Sequence, residues 1–194
     1  MGPAMDFSFS EQQLQIKDSI EKLCKPFDDQ YWLDRDTDGQ FPEAFCRALA
    51  DDGWLGICMP EDVGGSGLGI SEAAVMVQAI AESGAANGGV SSVAIPLFGV
   101  NPIAVFGSEE QKERMLPPVM RRDDIPCFGV TEPNTGLNTT RLKTEAILKG
   151  DHYVVHGQKV WTSTAQVSNK IMLIARTKPE SQTKRPIDGL TLFY

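Results

Sequence analysis

Hydrophobic side chains in the first 120 residues repeat with the period of an α-helix. Ile16, Ile20, Leu23 and Phe27 follow one another at spacings of four, three and four, which places them on one helical face. The segment Ser10-Glu-Gln-Gln13 just before them has the pattern of a capping box and predicts the start of that helix. We therefore expect the N-terminal part of the chain to be helical.

Capping residues, prolines and glycines predict further helices in the same region. They bound three segments, which are residues 42–53, 71–83 with Ser71 as N-cap, and 108–117. The acidic segment 28–39 is expected to be a polar linker. The glycine-rich segment 64–69 is expected to be an irregular structural turn.

Beyond residue 120 the pattern becomes typical of β-strands. The runs 153–155 and 159–162 flank Gly157 and predict a hairpin, while residues 171–176 predict a buried strand. Another strand is predicted over residues 190–194.

Helices followed by strands define an α+β fold. We expect an N-terminal all-α domain over residues 5–121 and a partial antiparallel β domain, a barrel or a sandwich, over residues 122–194.

Composition limits the classes of function. The chain has 194 residues, a net charge of −8 and 41% hydrophobic residues, as in an ordinary globular protein. The acidic balance argues against a broad nucleic-acid surface. The apolar stretch Gly88 to Phe106 contains Pro96 and Pro102, which favours a buried helix pair over a membrane span.

Cysteine and histidine spacings do not predict a metal site. The four cysteines form no C-x-x-C pair and are expected to be reduced core thiols, which suits a bacterial cytoplasm or a mitochondrial matrix. His152 and His156 lie four apart on a predicted strand, about 13 Å from each other, too far to share one metal ion.

Two segments are candidates for binding chemistry. Residues 128–136 form a turn of small and polar residues whose backbone N–H groups can approach a flat ring or a phosphate. Trp161-Thr-Ser-Thr164 offers an aromatic wall beside hydroxyl groups. By composition alone, a plain surface turn and a half-buried strand explain the two segments at least as well.

Taken with their neighbours, these segments resemble the acyl-CoA dehydrogenase family. Four stretches match family motifs in order and at family spacing: P-E-D-V-G-G-S-G-L at 60–68, P-I to L-P at 102–117, V-T-E-P with its glycine at 130–136, and G-x-K-x-W-x-S at 157–163. The resemblance implies a helical domain, a middle β domain present in part, and a missing C-terminal helical domain.

The resemblance also implies FAD as cofactor and a role for each matched residue. The loop residues Phe128, Val130 and Thr131 meet the pyrimidine edge of the flavin. The Trp161 ring packs beside the isoalloxazine, and Ser163 bonds near the reactive flavin nitrogen.

Two further positions follow the loop. Gly136 lets the chain pass close to cofactor and substrate. Leu137-Asn138 stands where the family usually has Ser-Asp, so the Leu137 side chain cannot donate to the flavin or to the thioester arm, although its backbone N–H can. Leu137 is thus the expected substrate-binding position.

The implied reaction is α,β-dehydrogenation of an acyl-CoA thioester, an oxidoreductase reaction of fatty acid metabolism. Its electron acceptor is an electron-transfer flavoprotein or another acceptor, and the full-length flavoprotein is expected to be a homodimer or homotetramer. The catalytic base is expected in the missing domain, so the chain alone is expected to be inactive and to hold FAD weakly or not at all. Alternatives are a non-catalytic flavin- or partner-binding subunit that needs a second chain, and an acyl-CoA oxidase-like enzyme.

Overall fold

The computed structural model describes residues 7–194, which form two compact units that divide between Asp123 and Asp124. The helices are α1 (Glu11–Cys24), α2 (Asp29–Asp38), α3 (Glu43–Asp51), α4 (Ile70–Ile80), α5 (Ala86–Ala94), α6 (Asn101–Phe106) and α7 (Glu109–Met120). The strands are β1 (Pro126–Gly129), β2 (Glu145–Lys149), β3 (His152–His156), β4 (Lys170–Arg176) and β5 (Leu190–Phe193). This segregation of helices from strands confirms the α+β class.

The segment expected to be a polar linker is helix α2, so that prediction is wrong. The Asp28 side chain accepts a hydrogen bond from the Tyr31 N–H at 3.0 Å and caps the helix. The Trp32 indole is buried and makes an edge contact with Phe45, with ring centroids 5.1 Å apart. One buried aromatic residue therefore anchors an otherwise polar helix, which periodicity alone does not reveal.

Two helix boundaries also differ from their predictions. Helix α4 begins at Ile70, because Gly69 is the N-cap and its N–H donates to the Glu72 carboxylate at 3.1 Å. Helix α7 runs through Pro117 and Pro118 to Met120. A proline lacks the N–H donor but keeps its carbonyl, and the Pro117 carbonyl accepts from the Arg121 N–H at 3.0 Å.

One helical stretch, Ile70–Phe106, is long and apolar enough to cross a membrane by length and composition. Half of its most apolar window is buried inside the helical unit. The stretch is also interrupted, since Gly84 has a φ of 98° and Ala86 a φ of 44°. These features are those of helices that pack into a core, as the sequence predicts.

The strand unit is a five-stranded sheet in which β4 is central. Strands β1 and β2 pair with β4 in parallel, while the β2–β3 and β4–β5 pairs are antiparallel. The sheet is thus mixed, and the expected wholly antiparallel arrangement is corrected. The physical reason is the long connection between β1 and β4, which lets the chain re-enter the sheet in the same direction.

The hairpin lies elsewhere than the sequence predicts. Strands β2 and β3 form it around Gly150, whose φ is 67°, and residues 157–169 are not in a strand. Gly157 is instead a point of close approach, because a Cβ atom there would lie 2.3 Å from the Thr144 hydroxyl oxygen.

An ion pair between a buried guanidinium and a half-exposed carboxylate closes the helical unit. The Arg122 guanidinium, with a side chain 1% exposed, donates to both carboxylate oxygens of Glu43 at 2.9 and 2.6 Å. It also lies over the Phe41 ring, 5.2 Å from the centroid. The Arg122 hydrogen bonds are the main influence that lowers the pKa of Glu43.

Replacing Glu43 by Ala is expected to lower the free energy of unfolding by about 2–3 kcal/mol, because it leaves a buried guanidinium without its carboxylate. Urea unfolding followed by circular dichroism measures this. Glu109→Ala is the matched control: it also removes a first-turn acid, but its partner is Lys112 in a surface pair, and a much smaller loss is expected. Equal losses in the two variants would contradict the assignment.

Candidate functional site

The two segments predicted to carry chemistry lie side by side in the strand unit. The Val160 N–H donates to the Thr131 carbonyl at 2.9 Å. One residue earlier, the Lys159 ammonium donates to the Val130 carbonyl at 3.0 Å. The loop after β1 and the segment before Trp161 are therefore joined at successive residues, although about 30 positions of sequence separate them.

Glu132 is the centre of this junction. Its side chain is 7% exposed, and its carboxylate accepts from the Lys143 N–H at 2.7 Å, the Thr144 N–H at 2.8 Å and the Lys159 ammonium at 3.0 Å. Burial acts to raise the pKa of this carboxyl, but the hydrogen bonds from Thr144, Lys143 and Lys159 outweigh burial and lower the pKa to about 2. The carboxylate therefore stays ionised and ties three segments of chain together.

The junction leaves several hydrogen-bond donors unused. Within residues 7–194, the N–H and hydroxyl of Thr131 make no hydrogen bond, and neither do the N–H of Trp161 or the hydroxyl of Ser163. The carbonyl of Thr131 points into the junction instead, where it accepts from Val160. The Thr131 carbonyl is therefore bonded within the protein, while the N–H and hydroxyl donors named above are available to a ligand.

Trp161 is held in an unusual conformation. Its φ is 58°, in the left-handed region that costs a residue with a side chain about 1 kcal/mol, and its side chain is 88% exposed. A large exposed ring on a strained backbone is a feature that clusters at ligand sites. The expectation of a half-buried strand residue is therefore wrong for Trp161.

The remaining predicted positions lie in β1 and in the loop that follows it. Phe128 is half-buried in β1, opposite Met172 of β4. Gly136 is exposed, and a Cβ atom on it would meet only the Thr131 methyl group, at 3.9 Å. Leu137 is fully exposed.

Asn138, the second departure from the family pattern, has a structural role. Its side-chain carbonyl accepts from the Thr140 hydroxyl at 2.6 Å and caps the short 3₁₀ turn Thr139–Arg141. The Arg176 guanidinium binds the Thr140 carbonyl at 2.6 Å and the Leu142 carbonyl at 3.1 Å, which anchors the end of the loop. Leu137 therefore projects from a loop that is fixed on both sides.

Sequence reasoning missed Glu132 and Lys159. Both lie inside matched motifs, but the motifs assign ligand contacts only to their neighbours. The available signal was chemical: one carboxylate and one ammonium, each in the middle of an otherwise uncharged motif. Charged residues in such a setting are buried only when they are paired.

Comparison with known proteins identifies the family. The profile of the acyl-CoA dehydrogenase N-terminal domain matches residues 10–123, and that of the acyl-CoA dehydrogenase middle domain matches residues 127–194. The chain therefore belongs to the acyl-CoA dehydrogenase family. The four motifs quoted from the sequence indicated this family correctly.

Individual relatives give the same result. The probable acyl-CoA dehydrogenase YngJ of Bacillus subtilis is 30% identical over 186 residues, which are 96% of this chain and 49% of that protein. Butyryl-CoA dehydrogenase from Megasphaera elsdenii has a TM-score of 0.83 at 25% identity, over 97% of this chain and 49% of that one. A solved structure described as an electron transferring flavoprotein of Acidaminococcus fermentans has a TM-score of 0.85 at 29% identity, over 97% and 48%. The chain thus spans about half the length of these relatives.

The stability contributed by Glu132 is expected to depend on pH. Its folded pKa, about 2, lies below the ordinary value of 4.5, so its contribution is present above pH 4.5 and is lost as the pH falls toward 2. Glu132→Gln is expected to cost about 3 kcal/mol at pH 7 and progressively less below pH 4.5. Urea unfolding at pH 7, 5 and 3.5 measures the difference from the unmodified chain.

The matched control is Glu145→Gln, which removes an exposed carboxylate from the same unit. A change within about 0.5 kcal/mol at every pH is expected for that variant. A Glu132→Gln deficit that stayed constant from pH 7 to pH 3.5 would rule out an ionised, hydrogen-bonded Glu132.

Proposed function

We propose that this chain supplies the flavin loop and one wall of the acyl site of an FAD-dependent acyl-CoA dehydrogenase. The observation that carries the proposal is the junction in the strand unit, which presents unused donors on Thr131, Trp161 and Ser163 next to an exposed indole. A flavin needs donors along its pyrimidine edge and an apolar wall for its ring system, and these residues fit both needs.

The proposed contacts are those that the family motifs assign. Phe128, Val130 and Thr131 would meet the pyrimidine edge, and Gly136 and Leu137 would lie where cofactor and acyl thioester meet. The Trp161 ring would cover part of the flavin, with Ser163 near its reactive nitrogen. Donors aimed at a ring that becomes electron-rich favour its reduced form, so these residues would act as electrostatic stabilisers.

The helical unit contains a cavity suited to an acyl tail. Its volume is about 520 Å³. Its walls come mainly from α4 and α5 and are mostly apolar; they include Ala73, Ala74, Val77, Val90 and Ala94. Cys58 and Leu68 contribute from the connection before α4. Small side chains on two facing helices leave room that an unbranched or short branched tail would fill.

Bound FAD would take up the hydride that leaves the β-carbon of the acyl group. This chain would bind and orient both reactants and keep water from the ring, while the general base would come from outside the matched motifs. By the resemblance, electrons would pass on to an electron-transfer flavoprotein, and the complete enzyme would be a homo-oligomer of a cytoplasmic or mitochondrial matrix compartment.

Replacing Trp161 by Ala is expected to weaken FAD binding about tenfold, because it removes the largest apolar contact with the ring. Titration of FAD against the chain, followed by flavin fluorescence, measures the affinity. Phe106→Ala is the control, since Phe106 is equally exposed, at 86%, but lies in the helical unit. The proposal fails if the unmodified chain leaves the amide signals of residues 128–137 and 157–163 unchanged at saturating FAD.

The cavity makes a second prediction through Cys58, the half-exposed member of the four cysteines. Octanoyl-CoA is expected to slow alkylation of Cys58 by N-ethylmaleimide, and CoA without a tail is not. Ala94→Trp fills the cavity and is expected to abolish the protection, whereas Ala44→Trp, on the exposed face of α3, should preserve it. Peptide mass spectrometry measures the rates, and equal protection by CoA and octanoyl-CoA would exclude a tail in this cavity.

A further inference from the structure

Lys159 is a buried cation with a specific geometry. Its side chain is 9% exposed, and its ammonium donates to two oxygens, the Val130 carbonyl and the Glu132 carboxylate, each at 3.0 Å. Glu132 is the only carboxylate within ion-pair distance of Lys159 in the described part of the chain. The second bond ties the ammonium to the backbone of the loop that carries Thr131.

The bond from Lys159 to the Val130 carbonyl affects the orientation of the Thr131 N–H. The Val130 carbonyl and the Thr131 N–H belong to the same planar peptide unit, so they point in opposite directions. An ammonium on the carbonyl fixes the plane of the unit and directs the Thr131 N–H away from the junction. It also polarises the unit, which makes that N–H a stronger donor.

Glu132 holds the Lys159 ammonium in place and does not itself accept from the Thr131 N–H. Its carboxylate takes the Lys143 and Thr144 N–H groups and the Lys159 ammonium, while its own N–H donates to the Thr135 carbonyl at 3.0 Å. The Val160 N–H occupies the Thr131 carbonyl. The Val130, Thr131 and Thr135 carbonyls and the Glu132 carboxylate are therefore engaged, whereas the Thr131 N–H makes no hydrogen bond within residues 7–194.

We propose that Lys159 is a positioning residue that fixes and polarises the Val130–Thr131 peptide, so that the Thr131 N–H becomes a strong donor to the electron-rich edge of the bound ring. This inference deepens the proposed function and rests on it for the identity of the ring. Glu132 acts one step further out, by holding the ammonium of Lys159 on the Val130 carbonyl.

The test compares Lys159→Met with Lys170→Met in the full 194-residue chain. Lys170 lies in the same unit and its ammonium is 3.9 Å from the Asp124 carboxylate in a more exposed pair. Two quantities are measured: the ¹⁵N and amide ¹H positions of the Thr131 signal without ligand, and the affinity for FAD. Lys159→Met is expected to shift the Thr131 signal upfield and to weaken FAD binding about tenfold. Lys170→Met is expected to change neither.

Two more variants separate positioning from stability. Glu132→Gln/Lys159→Met removes both charges, and the single glutamine oxygen can still accept from one of the Lys143 and Thr144 N–H groups. Because no unpaired buried charge is left, the double variant is expected to fold better than Lys159→Met. It should nevertheless keep the upfield Thr131 signal and the weak FAD binding. Lys159→Arg retains a cation and is expected to recover most of both.

Each outcome decides the matter. If the double variant regains the Thr131 signal and the FAD affinity together with its stability, Lys159 serves only to stabilise the fold and the inference is overturned. An unmoved Thr131 signal in Lys159→Met overturns it as well. If the Thr131 signal moves as expected but the unmodified chain shows no response to FAD, the donor arrangement stands and the proposed function fails.

Discussion

The strand unit depends on one buried ion pair, Glu132 with Lys159. Both charges are almost fully removed from water, and each is compensated by backbone groups as well as by its partner. A buried pair is worth keeping only when its remaining hydrogen bonds are satisfied. Here the bonds involve three segments, residues 130–132, 143–144 and 159, so the pair holds these separate segments next to one another.

That junction explains the strained conformation of Trp161. The Val160 N–H is bound to the loop, and the next residue turns into the left-handed region with its indole in solvent. The bond of the preceding residue, Val160, to the loop helps to offset this cost of about 1 kcal/mol. Strain next to a rigid anchor and unused donors beside an exposed ring are together the signs of a preorganised ligand site.

The helical unit follows a different principle. Its core is built from apolar contacts, with the rings of Phe27, Tyr31, Trp32 and Phe45 in edge contacts of 5.0 to 5.3 Å. Its one deeply buried guanidinium among the described residues, that of Arg122, seals the end of the unit against Glu43. Apolar packing thus holds the helical unit together, whereas hydrogen bonds and an ion pair hold the loop after β1 in place in the strand unit.

The sequence by itself determined the features that depend on local chemistry. These include the capping boxes at Ser10 and Ser108, strands β4 and β5, the segregation of helices from strands, and the four motifs that indicate the family. Tertiary structure decided what depends on distant partners. The helix around Trp32, the parallel pairing of β4, the close approach at Gly157 and the pairing of Glu132 with Lys159 all join residues far apart in sequence. Periodicity and caps act within a few residues, whereas burial and ion pairing act through space, so the pattern of a single segment cannot contain them.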